Sequence, residues 1–66
     1  MGSPTPAEVR DARLSLGLTQ TEAAAMLGCT RGSWARYEGG TSTMTPMEWR
    51  YWQHVSGLNR IPFRAA

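Results

Sequence analysis

Two arginines five positions apart, Arg31 and Arg36, give this chain its clearest capacity for recognition chemistry. The planar guanidinium group donates paired hydrogen bonds, and this geometry matches the O6 and N7 acceptors at the edge of a guanine base. A helical projection of residues 31–38 places Gly32, Ala35 and Arg36 on a face where only the arginines are long. This face suits close contact with the floor of a DNA groove, and solvated surface charge is the alternative explanation for both arginines.

The sequence contains no catalytic or metal-binding constellation. The chain has one cysteine, Cys29, and one histidine, His54, so the sequence offers neither an internal disulfide nor a cluster of metal ligands. We expect Cys29 to fill a tight turn, with a redox-sensing thiol as the less favoured alternative, and we assign His54 no catalytic role. The sequence therefore predicts a protein that is not an enzyme and that needs no cofactor or small-molecule ligand.

Short helices must position the recognition face, and residues 19–40 contain the signals that start and stop them. Thr19 and Glu22 form a capping box, in which each side chain accepts a hydrogen bond from the backbone amide of the other residue. Gly28 is placed to end that helix in the left-handed conformation, and Thr30 is suited to cap the next one. Two short helices joined by a tight glycine turn form a helix-turn-helix, which is typical of DNA-binding proteins.

The order of these signals resembles the phage-repressor-type (Cro/repressor, XRE-like) helix-turn-helix domains over about forty residues, from Arg13 through the fourth helix. The residues that carry the resemblance are Gly17-Leu18-Thr19-Gln20, Ala24, Gly28, Ser33 and Tyr37-Glu38-Gly39-Gly40. The resemblance implies that the third helix enters the major groove and that its base-reading positions fall on Arg31, Gly32 and Arg36. Ser33 is placed to contact a base or a phosphate.

The resemblance also assigns supporting roles outside the base-reading positions. It implies that Gln20 anchors a phosphate and supports the recognition helix, and that Arg13 and Glu38 form a structural pair. Two positions depart from the family pattern, since Trp34 replaces a branched aliphatic residue and Gly32 replaces a residue that often contacts a base. We expect the first departure to alter the core packing and the second to alter the base readout.

Further phosphate contacts are predicted at Thr19, Gln20, Thr30 and Arg10. A hydroxyl or an amide at a helix start can meet a phosphate, because the helix dipole favours an anion there. Helix capping is the plainer explanation for the two threonines, and a solubilising charge is the alternative for Arg10.

A chain of 66 residues forms a single small domain, and no segment alternates apolar and polar residues as a strand does. The sequence therefore predicts an all-α fold, a compact four- to five-helix repressor-like domain over residues 5–58. A flexible arm at 1–4 precedes this domain, and an extended C-terminal arm at 59–66 follows it. Threonine caps followed by a proline also open the first and fourth helices, at Thr5 and Thr45.

The predicted fourth helix has two apolar edges. Met47, Tyr51, Val55 and then Leu58 recur at about every fourth residue, so we expect this stripe to face the core. Tryptophans form the second edge, which a small core has little room to bury. The residues predicted to form a dimer interface, with packing on the core of the same chain as the open alternative, are Trp49, Trp52, Ile61 and Phe63.

The formal net charge is only +2, yet all seven basic residues are arginine. Arginine suits phosphates and guanine edges better than lysine does, although the codon bias of a GC-rich genome is the plainer explanation for the absence of lysine. The sequence shows no apolar run long enough to span a membrane and no secretory leader. We therefore expect a cytoplasmic protein without disulfides.

Together these features predict a sequence-specific DNA-binding transcriptional regulator whose partners are double-stranded operator DNA and a second copy of itself. A homodimeric repressor that binds an inverted repeat and controls its own promoter fits a chain of this size, and compact repressors of phages and mobile elements are the nearest analogy. The alternative is a protein-interaction module on a helix-turn-helix scaffold, such as an antitoxin or an anti-defence inhibitor. In that case the tryptophan edge carries the activity, and Arg31 and Arg36 do not.

Overall fold

The computed structural model describes residues 2–58 and contains four α-helices. They are α1 (Pro6–Ser15), α2 (Gln20–Leu27), α3 (Arg31–Gly39) and α4 (Pro46–Ser56). No strand is present within residues 2–58, which confirms the predicted all-α class. None of the helices in this part of the chain is long and apolar enough to cross a membrane. The predicted C-terminal arm at 59–66, with Ile61 and Phe63, lies outside the described residues.

Three of the four helices begin with a capping box, as the local sequence predicts. In Thr5–Glu8, Thr19–Glu22 and Thr45–Glu48, the threonine hydroxyl accepts a hydrogen bond from the glutamate amide at 3.1 Å. The glutamate carboxylate accepts one from the threonine amide at 2.8 or 2.9 Å. Each box therefore satisfies backbone donors that a helix start otherwise leaves unpaired.

The turn between α2 and α3 depends on glycine. Gly28 ends α2 with φ at +88°, a conformation in which a side chain is strained. Thr30 then begins α3, and its hydroxyl accepts a hydrogen bond from the amide of Ser33 at 3.2 Å. The predicted helix-turn-helix is confirmed, with α3 extending from Arg31 to Gly39.

Two tryptophans form the centre of the core. Trp34 from α3 and Trp52 from α4 are both fully buried, with ring centroids 5.1 Å apart and planes at 44°. The indole nitrogen of Trp52 donates to the carbonyl oxygen of Ala23 in α2 at 3.1 Å, so burial leaves this N–H paired. The other buried apolar residues of the core cluster are Val9, Ala23, Ala24 and Met44.

The predicted orientation of α4 is wrong. Three residues of the stripe expected to face the core, Met47, Tyr51 and Val55, are 79%, 53% and 41% exposed, whereas Trp52 is fully buried. The fourth, Leu58, lies just beyond α4 and is half-buried against the core. Both edges of α4 have helical spacing, so periodicity does not discriminate between them. Trp52 occupies the core because its indole fills the space beside Trp34 and places its N–H on a carbonyl of α2.

Burial also corrects the predicted dimer interface at Trp52. The ring of Trp52 is 0% exposed in a single copy, so a second copy has no access to it. Trp49 is half-buried and lies parallel to Trp52, with ring centroids 5.9 Å apart and planes at 5°. Trp49 therefore covers an edge of the core and leaves only part of its ring at the surface.

The N-terminal arm predicted at 1–4 is described from Gly2 onward. Gly2 and Ser3 are exposed, whereas Pro4 is buried immediately before the cap of α1. Pro4 lines a small surface pocket together with Trp49. The described end of the arm therefore lies against α4.

Candidate nucleic-acid interface

The inner side of α3 is fixed by aromatic packing. Trp34 is fully buried, and Tyr37 is half-buried with its ring edge-on to Trp34, at 6.3 Å between centroids and 83° between planes. Residues three positions apart share one face of a helix, so these two rings define the side of α3 that faces the core. Arg31, Gly32 and Arg36 are exposed.

A carboxylate near the end of α3 joins three helices. Glu38 Oε2 accepts hydrogen bonds from Arg13 Nε and from Trp34 Nε1, each at 2.5 Å. Glu38 Oε1 accepts hydrogen bonds from Arg13 Nη2 at 3.1 Å and from Gln20 Nε2 at 3.2 Å. The donors belong to α1, α2 and α3 itself, so this one side chain helps to set the position of α3 relative to both preceding helices.

Arg13 is the charged donor of this network. Its guanidinium group contacts both carboxylate oxygens of Glu38, and the two side chains are only 13% and 7% exposed. Its Nη1 also donates to the carbonyl oxygen of Leu18 at 2.9 Å, in the segment between α1 and α2. The structure thus brings into contact the two residues that the resemblance pairs.

The network controls the protonation of Glu38. Desolvation by burial raises the pKa of Glu38, but hydrogen bonds from Arg13, Trp34 and Gln20, together with the charge of Arg13, outweigh it and hold the pKa below its ordinary value. The hydrogen bond to Glu38 raises the pKa of Arg13 by more than partial burial lowers it. Both groups are therefore charged at neutral pH, which keeps their contact strong.

Among the predicted base-reading residues, Ser33 differs from the other three. Arg31, Gly32 and Arg36 are exposed, whereas Ser33 is half-buried and its Oγ accepts a hydrogen bond from Thr30 Oγ1 at 3.2 Å. That bond does not use the hydroxyl proton of Ser33, so Ser33 keeps one donor for an outside acceptor. A Cβ added to Gly32 meets Thr30 Oγ1 at 3.8 Å, which is an ordinary contact.

The predicted phosphate contacts lie at helix starts and on α1. Thr19 and Thr30 are exposed, and each hydroxyl accepts the amide hydrogen bond that caps its own helix. Gln20 is half-buried, and one of its amide hydrogens is directed to Glu38, which leaves the second one available. Arg10 is exposed, and its contact with the neighbouring aspartate is long, at 3.9 Å, so it competes little with a phosphate.

The sequence analysis missed the hydrogen bond by which Trp34 orients Glu38. The sequence identifies Trp34 only as a departure that affects packing, but its indole N–H also orients Glu38 from within α3. A tryptophan four residues before a glutamate in one helix is a local signal for such a bond. The bond from Gln20 gives no comparable signal, because it joins residues 18 positions apart.

The described residues include one thiol, that of Cys29, and its surroundings affect its reactivity. Within residues 2–58, no group of three or more His, Cys, Asp or Glu side chains is placed to hold a metal ion. Desolvation raises the pKa of the Cys29 thiol, and the charge of Glu48 raises it further. A thiol that keeps its proton is a poor nucleophile, which argues against a redox-sensing role.

A comparison with known protein families identifies the domain that these helices form. A model of the helix-turn-helix domain family matches residues 7–59, which is most of the chain. The chain belongs to this helix-turn-helix family. It is accordingly a helix-turn-helix DNA-binding protein, in which α2 and α3 are the two helices of the motif. A search of curated proteins found no match to the chain.

Proposed function

We propose that this helix-turn-helix protein is a sequence-specific transcriptional regulator of the phage-repressor (Cro/repressor, XRE-like) type, with α3 as its recognition helix. The division of α3 into two sides carries the proposal. Trp34 and Glu38 hold one side against the domain, while Arg31, Gly32 and Arg36 are exposed. A helix held in this way presents its free side chains to the major groove in one defined orientation.

Arg31 and Arg36 supply the base contacts in this proposal. Arg31 opens α3 and Arg36 lies in its last turns, so both ends of the helix carry a guanidinium group. Each group donates paired hydrogen bonds to O6 and N7 of a guanine. Gly32 lies between them without a side chain, which lets the backbone of the first turn approach the base pairs closely. Ser33 adds a hydroxyl donor beside it.

Phosphate contacts position the recognition helix in the groove. Gln20 uses one amide hydrogen for Glu38 and keeps the other for a phosphate oxygen, so the same side chain links the DNA backbone to α3. Thr19, Thr30 and Arg10 add exposed polar groups at the helix starts and on α1. Contacts of this kind fix the register of the protein on the duplex without reading its sequence.

A homodimer on an inverted repeat is the form that best serves this function. One recognition helix reads only a few base pairs, and a second copy related by a two-fold axis doubles the length of the site. The two α3 helices then enter successive major grooves about 34 Å apart. Such a dimer on its own promoter is an autorepressor, because its occupancy rises with its own concentration.

The proposal is tested by titrating the protein against the DNA upstream of its own gene and against a scrambled duplex of equal length, at near-physiological salt. A sequence-specific regulator is expected to prefer the native duplex by at least about a thousandfold. Weak and equal binding to both duplexes contradicts the regulator. That outcome favours a protein-interaction module on this scaffold, such as an antitoxin or an anti-defence inhibitor.

Two arginine variants separate base reading from phosphate attraction. Arg36→Ala is expected to cost about 1–3 kcal/mol of binding to the native duplex and much less on the scrambled one, because it removes a base contact. Arg10→Ala is the matched control, since the loss of a phosphate contact weakens both duplexes about equally. If Arg36→Ala also weakens both equally, Arg36 does not read a base.

A further inference from the structure

Four hydrogen bonds converge on the carboxylate of Glu38. Arg13 donates to both oxygens, Trp34 donates to Oε2 at 2.5 Å, and Gln20 donates to Oε1 at 3.2 Å. Two carboxylate oxygens offer about four acceptor sites, so these bonds fill them. The Glu38 side chain is only 7% exposed. Removal of any one donor therefore leaves an acceptor site that water reaches poorly.

The donors to Glu38 differ in the helix that carries them. Arg13 belongs to α1 and Gln20 opens α2, whereas Trp34 lies in α3 together with Glu38 itself. Within residues 2–58, Trp34 is therefore the one donor that fixes this carboxylate relative to α3. The indole ring of Trp34 is fully buried, with its centroid 5.1 Å from that of Trp52, so packing sets the direction of its N–H bond.

The carboxylate of Glu38 also decides which end of the Gln20 side chain faces it. A carboxylate only accepts hydrogen bonds, so Gln20 must turn its NH2 group, and not its carbonyl oxygen, toward Glu38 Oε1. The second hydrogen of the same NH2 group stays available to another acceptor. A phosphate oxygen also accepts hydrogen bonds and donates none. The orientation that Glu38 imposes on Gln20 is therefore the one that a phosphate contact requires.

We infer that Trp34 is a positioning residue for the phosphate contact of Gln20, and that it acts through the carboxylate of Glu38. The inference rests on the proposed function, because it explains how that phosphate contact keeps its register with the base contacts. The indole N–H holds Oε2 of Glu38 relative to α3, and Oε1 then holds Gln20. Arg31 and Arg36 belong to the same helix. Phosphate and base contacts are thus arranged before DNA binds, which lowers the entropic cost of binding.

Trp52 provides a matched control for Trp34. Both indole rings are fully buried, and each donates one hydrogen bond, but Trp52 donates to the carbonyl oxygen of Ala23 and not to Glu38. Trp34→Phe and Trp52→Phe therefore remove the same N–H group and a similar ring area from the same core. A role of Trp34 in packing alone predicts that the two variants bind DNA equally well once both are folded.

The first test compares these two variants in duplex titrations, at a temperature where circular dichroism shows both to be fully folded. Trp34→Phe is expected to weaken binding to the native duplex by a factor of roughly 2 to 10, the range that one net hydrogen bond supplies. Trp52→Phe is expected to change it by less than about twofold. Equal losses in the two variants overturn the inference.

A double-mutant cycle tests whether Trp34 acts through Gln20. Gln20→Ala removes the phosphate contact, so Trp34→Phe added to it is expected to weaken binding by less than about a further twofold. If Trp34 affects DNA binding independently of Gln20, the losses of the two single variants multiply in the double variant. Multiplied losses overturn the inference.

Nuclear magnetic resonance tests the same link without changing either tryptophan. When the native duplex is added, the indole N–H resonance of Trp34 is expected to shift more than that of Trp52. The reason is that a phosphate bound to the Gln20 NH2 group polarises its hydrogen bond to Glu38, and linked hydrogen bonds affect one another. In Gln20→Ala this shift of the Trp34 resonance should be lost. A shift that is the same with and without Gln20 overturns the inference.

The outcomes separate this inference from the proposed function. Specific binding by the wild type, together with equal binding by Trp34→Phe and Trp52→Phe, overturns the positioning role of Trp34 and leaves the regulator intact. A wild type that binds the native and scrambled duplexes weakly and equally contradicts the regulator, and the positioning role falls with it. Specific binding that Trp34→Phe weakens only when Gln20 is present supports both.

Discussion

The helices α3 and α4 pack on the core in a similar way but expose different residues on their outer sides. Each begins at a threonine cap and ends at a left-handed glycine, and each turns one fully buried tryptophan, Trp34 or Trp52, to the core. On the outside, α3 exposes arginine and glycine, whereas α4 exposes Met47 and Tyr51. The inner sides therefore account for stability, whereas the outer sides differ in the chemistry that they expose to solvent.

The two tryptophans also use their indole N–H groups differently. Trp52 donates across the core to the carbonyl oxygen of Ala23 in α2. Trp34 donates within α3 to Glu38, which in turn accepts hydrogen bonds from α1 and α2. Apolar packing and one neutral hydrogen bond thus hold α4, whereas α3 depends in addition on a carboxylate. The orientation of α3 is therefore the more sensitive of the two to charge and pH.

The largest expected effect comes from comparing the inner and outer sides of α4. Trp52→Ala is expected to lower the free energy of unfolding by about 3–5 kcal/mol, because it leaves a cavity beside Trp34. Met47→Ala is expected to change it by less than about 0.5 kcal/mol, because this side chain is 79% exposed. Urea unfolding followed by circular dichroism measures both. If Trp52→Ala does not fold, Trp52→Phe gives a smaller loss of the same sign, and similar losses for both positions contradict the assigned faces.

A smaller effect is expected at Glu38. Glu38→Gln keeps the shape of the side chain but removes the charge that accepts hydrogen bonds from Arg13, Gln20 and Trp34. We expect it to lower the free energy of unfolding at neutral pH by about 2–3 kcal/mol, since it leaves the guanidinium group of Arg13 without its countercharge. Urea unfolding at neutral pH measures this loss, and an unchanged value contradicts the role of Glu38 in holding α3.

The contribution of Glu38 also has a definite pH dependence. The pKa of Glu38 is lower in the folded protein than its ordinary value, so its stabilising contribution is complete above the unfolded-state pKa. The contribution is lost as the pH falls through the lower, folded-state pKa. Thermal unfolding between about pH 7 and about pH 3 should therefore show a shallower slope in Glu38→Gln than in the wild type. Glu22→Gln alters an exposed capping carboxylate and serves as the control, which should retain a slope close to that of the wild type.

Local and tertiary signals explain how much of the fold the sequence predicts. The caps at Thr19 and Thr30 and the turn at Gly28 depend on residues within one helical turn, and all three follow from the sequence. The face that α4 buries depends instead on what fills the space beside Trp34. Helical spacing allows either edge of α4 to fill that space, and the sequence analysis therefore assigned the wrong edge of α4 to the core.

In the candidate site, too, local features follow from the sequence and contacts between helices do not. The helical projection of α3 correctly predicts that Gly32 and Arg36 are exposed, but Ala35, which it places on the same face, is half-buried. The resemblance pairs Arg13 with Glu38, and the structure joins them. The bond from Gln20 to Glu38 forms only when α2 and α3 have assembled, and no local pattern specifies it. What escapes the sequence is therefore that Gln20 and Trp34 both act on α3 through Glu38.

The smallest expected effect comes from adding a single methyl group at Gly32. This change should affect the free energy of unfolding and the DNA affinity in opposite directions. A Cβ at this position meets Thr30 Oγ1 at 3.8 Å, and the backbone of Gly32 is helical, so an alanine fits. Gly32→Ala is expected to raise the free energy of unfolding by about 0.5–1 kcal/mol, because it restricts the unfolded chain. It is also expected to weaken binding to the native duplex, because in the proposed complex the new methyl group lies between α3 and the base pairs.

Gly39→Ala is the matched control for Gly32→Ala in the same helix. Gly39 is exposed at the far end of α3, and a Cβ there has open space around it, so we expect a stabilisation of the same sign without any change in DNA affinity. Thermal unfolding and duplex titrations of both variants measure the two effects separately. If Gly32→Ala binds as tightly as Gly39→Ala, the first turn of α3 does not approach the bases. The outer side of α3 would then act through its arginines alone.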